Sequence, residues 1–202
     1  RFNAIMDGLF VKAIAEDTHG MIWIATADRG LVRYNPSDSQ TQFFNYNPNN
    51  SNSLCYGALS DILCDSKGYL WISSENGGIC RYNSEKKTFT RVMQRNGLQS
   101  DVIYKMLDDG NGTIWLSTNR GLAALDMTDM RVKATFDEHS VLPAKQFMTG
   151  SGILSPYGAL CFGSTDGIVI FKPEDVMPED KCFRVYITDH YCPVKNGNWS
   201  LK

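Results

Sequence analysis

The sequence predicts an all-β chain made of β-propeller blades: about four four-stranded antiparallel blades forming a partial propeller. Two observations carry this. One phrase recurs along the chain, as DTHGMIWIATADRGLVRYN (17–35), DSKGYLWISSENGGICRYN (65–83), DGNGTIWLSTNRGLAALD (109–126) and a degraded SPYGALCFGSTDGIVIFK (155–172). Trp23, Trp71, Trp115 and Cys161 follow one another at 48, 44 and 46 residues, a period that suits one four-stranded blade per copy. The second observation is that IWIA, LWIS and IWLS are almost continuously apolar. A strand with one face in water alternates, whereas one covered on both faces need not. Blades stacked face to face cover their middle strands twice, and copies of the same unit supply the missing partners.

Each element then has its own signal. Val11 and Ile14, Leu59 and Ile62, and Ile103 and Met106 stand six and three positions ahead of an aspartate and mark a first strand. At D-x-x-G the aspartate side chain caps a tight turn, and Gly20, Gly68, Gly112 and Gly158 take positive φ without steric cost. A second strand follows, such as 21–26 or 69–74. A second turn at Gly30, Gly78, Gly121 or Gly167 leads into a third strand ending near Tyr34, Tyr82, Leu125 or Phe171. TQFFNY (41–46), KTFTRV (87–92) and MRVKATF (130–136) supply the fourth strand, while no clear outer strand follows Phe171. RFNAI (1–5) reads as the outer strand of a preceding blade. The division is 1–10 outer strand and linker, 11–57 blade one, 58–101 blade two, 102–144 blade three, 145–178 last blade and 179–202 a further segment. At about 25 cal/mol per Å² of apolar surface, each tryptophan contributes several kcal/mol to blade stacking, so these rings are read as structural wedges rather than sugar platforms.

Composition excludes several function classes. A net charge of −2 from nearly balanced acids and bases, with no basic run, argues against nucleic-acid binding. No apolar stretch approaches the roughly 20 residues that span a bilayer, and no signal peptide opens the chain. A start at Arg1, close to a repeat boundary, leads us to expect a piece of a longer protein. The six cysteines (55, 64, 80, 161, 182, 192) show no C-x-x-C spacing, so no metal is expected. Cys64, Cys80 and Cys161 sit in apolar runs and read as small buried hydrophobes; Cys182 with Cys192 is the pair expected if any is bridged. Asn111-Gly-Thr and Asn198-Trp-Ser match the glycosylation sequon, the first being better read as a turn.

The pattern V-x-x-I-x-x-D-x-x-G-x-x-W-I-x-T-x-x-x-G-L-x-x-Y resembles the two-component regulator propeller repeat across 11–126. Residues 146–173, with Cys161 and Ser155 in place of tryptophan and aspartate, resemble the family's last repeat. CFRVYITDHYCPVKNG (182–197) resembles the start of the β-sandwich called the Y_Y_Y domain. The resemblance implies the periplasmic sensor region of a hybrid histidine kinase that detects an oligosaccharide. It implies a parent with a membrane helix, a kinase core and a DNA-binding output outside this chain.

Function is expected where the loops between second and third strands meet the inter-blade loops around the channel. The candidate ligand-binding residues there are Asp28, Arg29, Tyr56, Glu75, Asn76, Asn119, Arg120 and Asp166, with Tyr104 a further aromatic; their amides, acids and guanidinium groups suit an oligosaccharide. The inter-blade loops are 45–57, 94–101 and 137–146. No catalytic residue, cofactor or metal is expected. Two other readings are a protein-interaction or dimerisation scaffold, and a propeller lyase or hydrolase using Asp28, Glu75 and Asp166. Exposed blade faces at both ends of the arc lead us to expect self-association, either as paired half-rings or as a compact four-bladed ring closed by the N-terminal segment.

Overall fold

Each copy of the phrase folds as one antiparallel sheet, with strands in chain order from the inside outward. The computed structural model describes residues 8–137, 139–140 and 146–177, together with the backbone of 191–193 and 199–201. Blade one is β1 (Val11–Glu16), β2 (Ile22–Thr26), β3 (Leu31–Tyr34) and β4 (Thr41–Phe44). Blade two is β5 (Leu59–Cys64), β6 (Leu70–Ser74), β7 (Ile79–Asn83) and β8 (Thr88–Val92). Blade three is β9 (Ile103–Asp108), β10 (Thr113–Thr118), β11 (Gly121–Asp126) and β12 (Val132–Phe136). Blade four shows three strands, β13 (Phe147–Leu154), β14 (Leu160–Ser164) and β15 (Gly167–Phe171), followed by a single helical turn, α1 (Pro173–Val176). A hairpin of β16 (Tyr191–Pro193) and β17 (Trp199–Leu201) lies within the segment read as a sandwich; the rest of that segment, with Cys182, falls outside the described residues, as does RFNAI.

The D-x-x-G-x-x-W phrase is a three-point clip. In blade two, Asp65 Oδ1 accepts the N–H groups of Lys67 and Tyr69 at 2.9 and 2.8 Å, and Oδ2 accepts the Trp71 indole N–H at 2.7 Å. Asp17 does the same for His19, Met21 and Trp23. Asp109 does it for Asn111, Thr113 and, at a longer 3.4 Å, Trp115. Thus the residue that shapes the turn also satisfies the one polar atom of the buried ring. In blade four Ser155 keeps the turn, accepting from Tyr157 and Ala159, and the ring it would clip is replaced by Cys161.

The second repeat glycine has a different reason. At Gly30, Gly78 and Gly121 φ is +71, +67 and +112, and a Cβ would strike the carbonyl of the last residue of the fourth strand: Phe44, Val92 or Phe136. A hydroxyl pins this turn: Thr26, Ser74, Thr118 and Ser164 each donate to the carbonyl of that glycine.

Each interface takes its wedge from the earlier blade. Trp23 packs with Leu59, Ile62, Ile72, Tyr82 and Phe89; Trp71 with Ile103, Met106 and Leu125; and Trp115 with Phe147, Phe162 and Phe171. The large residue closing the third strand is the socket for the preceding tryptophan, as Tyr82 is for Trp23 at 5.1 Å and Phe171 for Trp115 at 4.9 Å. On β6, Trp71 faces forward while Leu70 and Ile72 face back, so both faces are buried and the apolar run is explained. Inner strands β1, β5, β9 and β13 are neighbours in that order, with β13 curving back to approach β5. At the outward faces of the arc, positions equivalent to buried ones are exposed: Ile14 at 63% and Ile168 at 71% correspond to Ile62 and Leu122, at 5% and 0%.

Candidate functional site

Antiparallel order puts the turns between second and third strands at one end of every blade, beside the inter-blade loops. The Ala27, Glu75 and Thr165 N–H groups bond the Phe10, Ala58 and Gln146 carbonyls, and the Gly78 N–H bonds Asp101, so the expected loop face exists. Its residues have different fates. Asp28 and Arg29 are exposed and 3.7 Å apart, and Asn76, Arg120 and Asp166 are exposed at their turns. Glu75 is half-buried and bound to Lys12 of blade one at 3.4 Å, and Asn119 accepts the Ser100 hydroxyl at 2.5 Å. Glu75 thus ties its turn to β1, and Asn119, itself exposed, ties its turn to the loop ahead of blade three. Tyr56 is half-buried against Tyr46 at 5.8 Å, and Tyr104 packs on the core around Trp115, so neither is the exposed platform expected of it.

Beneath this face sits an ion pair that sequence reading missed. Asp61 on β5 is buried, with Lys105 Nζ of β9 at 3.1 Å from Oδ1 and 3.0 Å from Oδ2, and its Oδ2 accepts the Met106 N–H at 2.9 Å. Burial pushes its carboxyl above the ordinary 3.8, outweighing the opposing pull of Lys105 and the Met106 N–H. The signal was visible: LSDILC and IYKMLD carry opposite charges at the equivalent third position of two largely apolar inner strands. Deeper still, Cys55 and Cys80 share the core between blades one and two. Burial holds the Cys80 thiol well above its ordinary 9.0, while a hydrogen bond from Cys80 draws Cys55 below it. Cys64 and Cys161, read as buried, are half-exposed. Among the described residues no group of three or more His, Cys, Asp or Glu side chains has the arrangement of a metal site.

At the opposite end of the blades, where first and third turns lie, a recess of about 430 Å³ opens between blades one and two beside Arg33, Tyr69 and Lys87.

The architecture and its clipped turns define a β-propeller array. Residues 97–120 match the family model described as Two component regulator propeller. A histidine kinase of Formosa agariphila is 25% identical over 104 residues, which is 51% of this chain and 8% of that protein. Two solved extracellular domains of hybrid two component systems from B. thetaiotaomicron superpose with TM-scores of 0.67 and 0.70, at 16% and 17% identity over 100% and 97% of this chain. This chain spans 34% and 28% of those structures. A virginiamycin B lyase from Staphylococcus aureus also shares the fold, with TM-score 0.61 and 16% identity over 85% of this chain and 58% of that one. At such identities the structural likenesses speak for the fold.

Proposed function

We propose that this chain is part of the extracytoplasmic sensor region of a hybrid two-component system, and that its loop face recognises an oligosaccharide in the periplasm and passes the signal across the membrane without catalysing a reaction. The observation that carries this is the repeat itself: the two-component regulator propeller match lies within the array, and the same blades occur in extracellular domains of such systems. The exposed Asp28, Arg29, Asn76 and Arg120 gather hydrogen-bonding groups of both kinds at one end of the arc. Glu75, committed to Lys12, leaves Asp28 and Asp166 on separate blades, which favours binding over a paired-carboxylate reaction. A thermal-shift panel of oligosaccharides tests it: one glycan should raise the melting temperature, and Arg29→Ala with Arg120→Ala should remove the rise. If every glycan leaves the transition unmoved, or the double variant responds like the parent, the loop-face reading fails.

A second reading rests on the exposed apolar faces of blades one and four. In it the chain is an association module whose end blades stack on a second copy or on another propeller blade.

A further inference from the structure

The repeat supplies an internal control for each inter-blade groove. Between blades two and three, Arg81 stacks over Tyr69 and Trp71, its guanidinium carbon 4.8 and 5.4 Å from the two ring centres. It also donates to the Met127 carbonyl of blade three at 2.7 Å, so the chain closes that groove with its own groups. Arg33 is the same residue one blade earlier: it opposes Trp23 across β2 and β3 as Arg81 opposes Trp71 across β6 and β7. It lies 5.8 Å from the Trp23 ring, yet it has no hydrogen-bond or ion-pair partner among the described residues, and its Nε is shut from solvent without an acceptor. The counterpart of Met127 here is Ser84, and in place of a closing contact there is the recess of about 430 Å³.

We propose that this recess binds a sugar acid: a pyranose carrying one carboxylate, alone or at the end of an oligosaccharide. The guanidinium fork of Arg33 matches a carboxylate in two parallel hydrogen bonds. Lys87, from the turn between β7 and β8 of blade two, lines the recess as a second cation. Asp17, also lining the recess, already accepts the N–H groups of His19, Met21 and Trp23 on its two oxygens, which leaves it little capacity for ligand donors. Glu85, also lining the recess, accepts ring hydroxyls and repels a second acid group, which selects a single carboxylate flanked by hydroxyls. Tyr69, 46% exposed, offers a flat apolar surface to the sugar ring. The volume lies in the range of small-molecule sites. This end of the blades is remote from the loop face, so the site goes beyond the function proposed above and stands or falls separately.

The Trp23 indole N–H, which donates to Asp17 at the recess, reports occupancy by NMR on the whole chain. D-Galacturonate and D-glucuronate are titrated against their methyl esters and against galactose and glucose. At least one acid should shift the Trp23 resonance saturably, its ester and the neutral sugars should not, and Trp71 and Trp115 should stay in place. Arg33→Gln should weaken binding roughly ten- to a hundredfold, the loss expected for a charge-assisted pair. Lys87→Ala, on an exposed turn, should weaken it less while leaving the fold intact. The proposal is overturned if neither acid moves Trp23, if an ester binds as well as its acid, or if both variants titrate like the parent. If Arg29→Ala with Arg120→Ala abolishes the acid's effect, the acid sits on the loop face: this site is then refuted while the sensor reading survives.

Discussion

At the scale of single residues, the aspartate before the first turn of blades one to three joins turn and ring through three hydrogen bonds. Asp65→Ala strands the Trp71 indole N–H, which is buried, along with two backbone N–H groups, and should cost about 2 to 3 kcal/mol in urea unfolding. Asp109→Ala should cost visibly less, because its indole contact is already stretched to 3.4 Å. Equal losses at the two sites would mean that the turn, not the ring, carries the effect. Acid titration probes the same group at blade one. Burial raises the Asp17 carboxyl, but the hydrogen bonds from Trp23, Met21 and His19 outweigh it and hold the group below its ordinary 3.8. A depressed carboxyl stabilises the fold above the unfolded value, and that contribution is lost as the pH falls through the folded one. Stability should therefore drop on acidification below about pH 4, and Asp17→Asn should flatten that limb. Asp61 runs the other way: its raised carboxyl favours the fold most when protonated, so its contribution declines as the pH climbs from acid toward neutrality.

At the scale of elements, the loop between blades one and two shows how a segment without strands is held. Arg91 on β8 donates to the carbonyls of Asn50, Ser53 and Leu54 and to the Ser53 hydroxyl, at 2.6 to 3.0 Å. Its guanidinium also lies 5.3 Å from the Tyr46 ring. No single ammonium reproduces this fan of contacts. Arg91→Lys should behave almost like Arg91→Ala, with faster amide exchange across 47–54 and little change in β5 to β7. Retention of protection in the lysine variant would show that charge alone orders the loop. Much of each blade was legible beforehand, including the two turns, the order of strands and the tryptophan wedge, because these depend on contacts within one repeat. The socket role of Tyr82 and Phe171, the Asp61–Lys105 pair and the vacant partner of Arg33 depend on which blade lies next to which. A single copy of the phrase does not contain that information.

At the scale of the whole molecule, the arc presents at each end the face that interior blades bury. Val11 and Ile14 at one end, and Ile168 and Ile170 at the other, stand where Leu59, Ile62, Leu122 and Ala124 stand within the stack. We predict that Ile14→Lys with Ile170→Lys lowers the mass seen by light scattering at micromolar concentration while shifting stability by no more than about 0.5 kcal/mol, as exposed substitutions do. An unchanged mass would remove these faces from any association. The fourth blade follows the same logic. Its wedge position looks toward this open face, and Cys161 stands there in place of a tryptophan.

The sequence alone determined the blade, because a turn, a strand and a wedge are set by residues within about 20 positions of one another and recur often enough to identify themselves. Only the tertiary structure decided which polar residues are spoken for. Glu75 and Asn119 look like ligand groups until Lys12 and Ser100 are found against them, and Arg33 looks like any strand arginine until its twin, Arg81, is found with the partner that Arg33 lacks. Whether a polar side chain is satisfied depends on what faces it across an interface. Those facing atoms come from another blade, 19 positions away for Asn119 and Ser100 and more than 40 for Arg81 and Asp61.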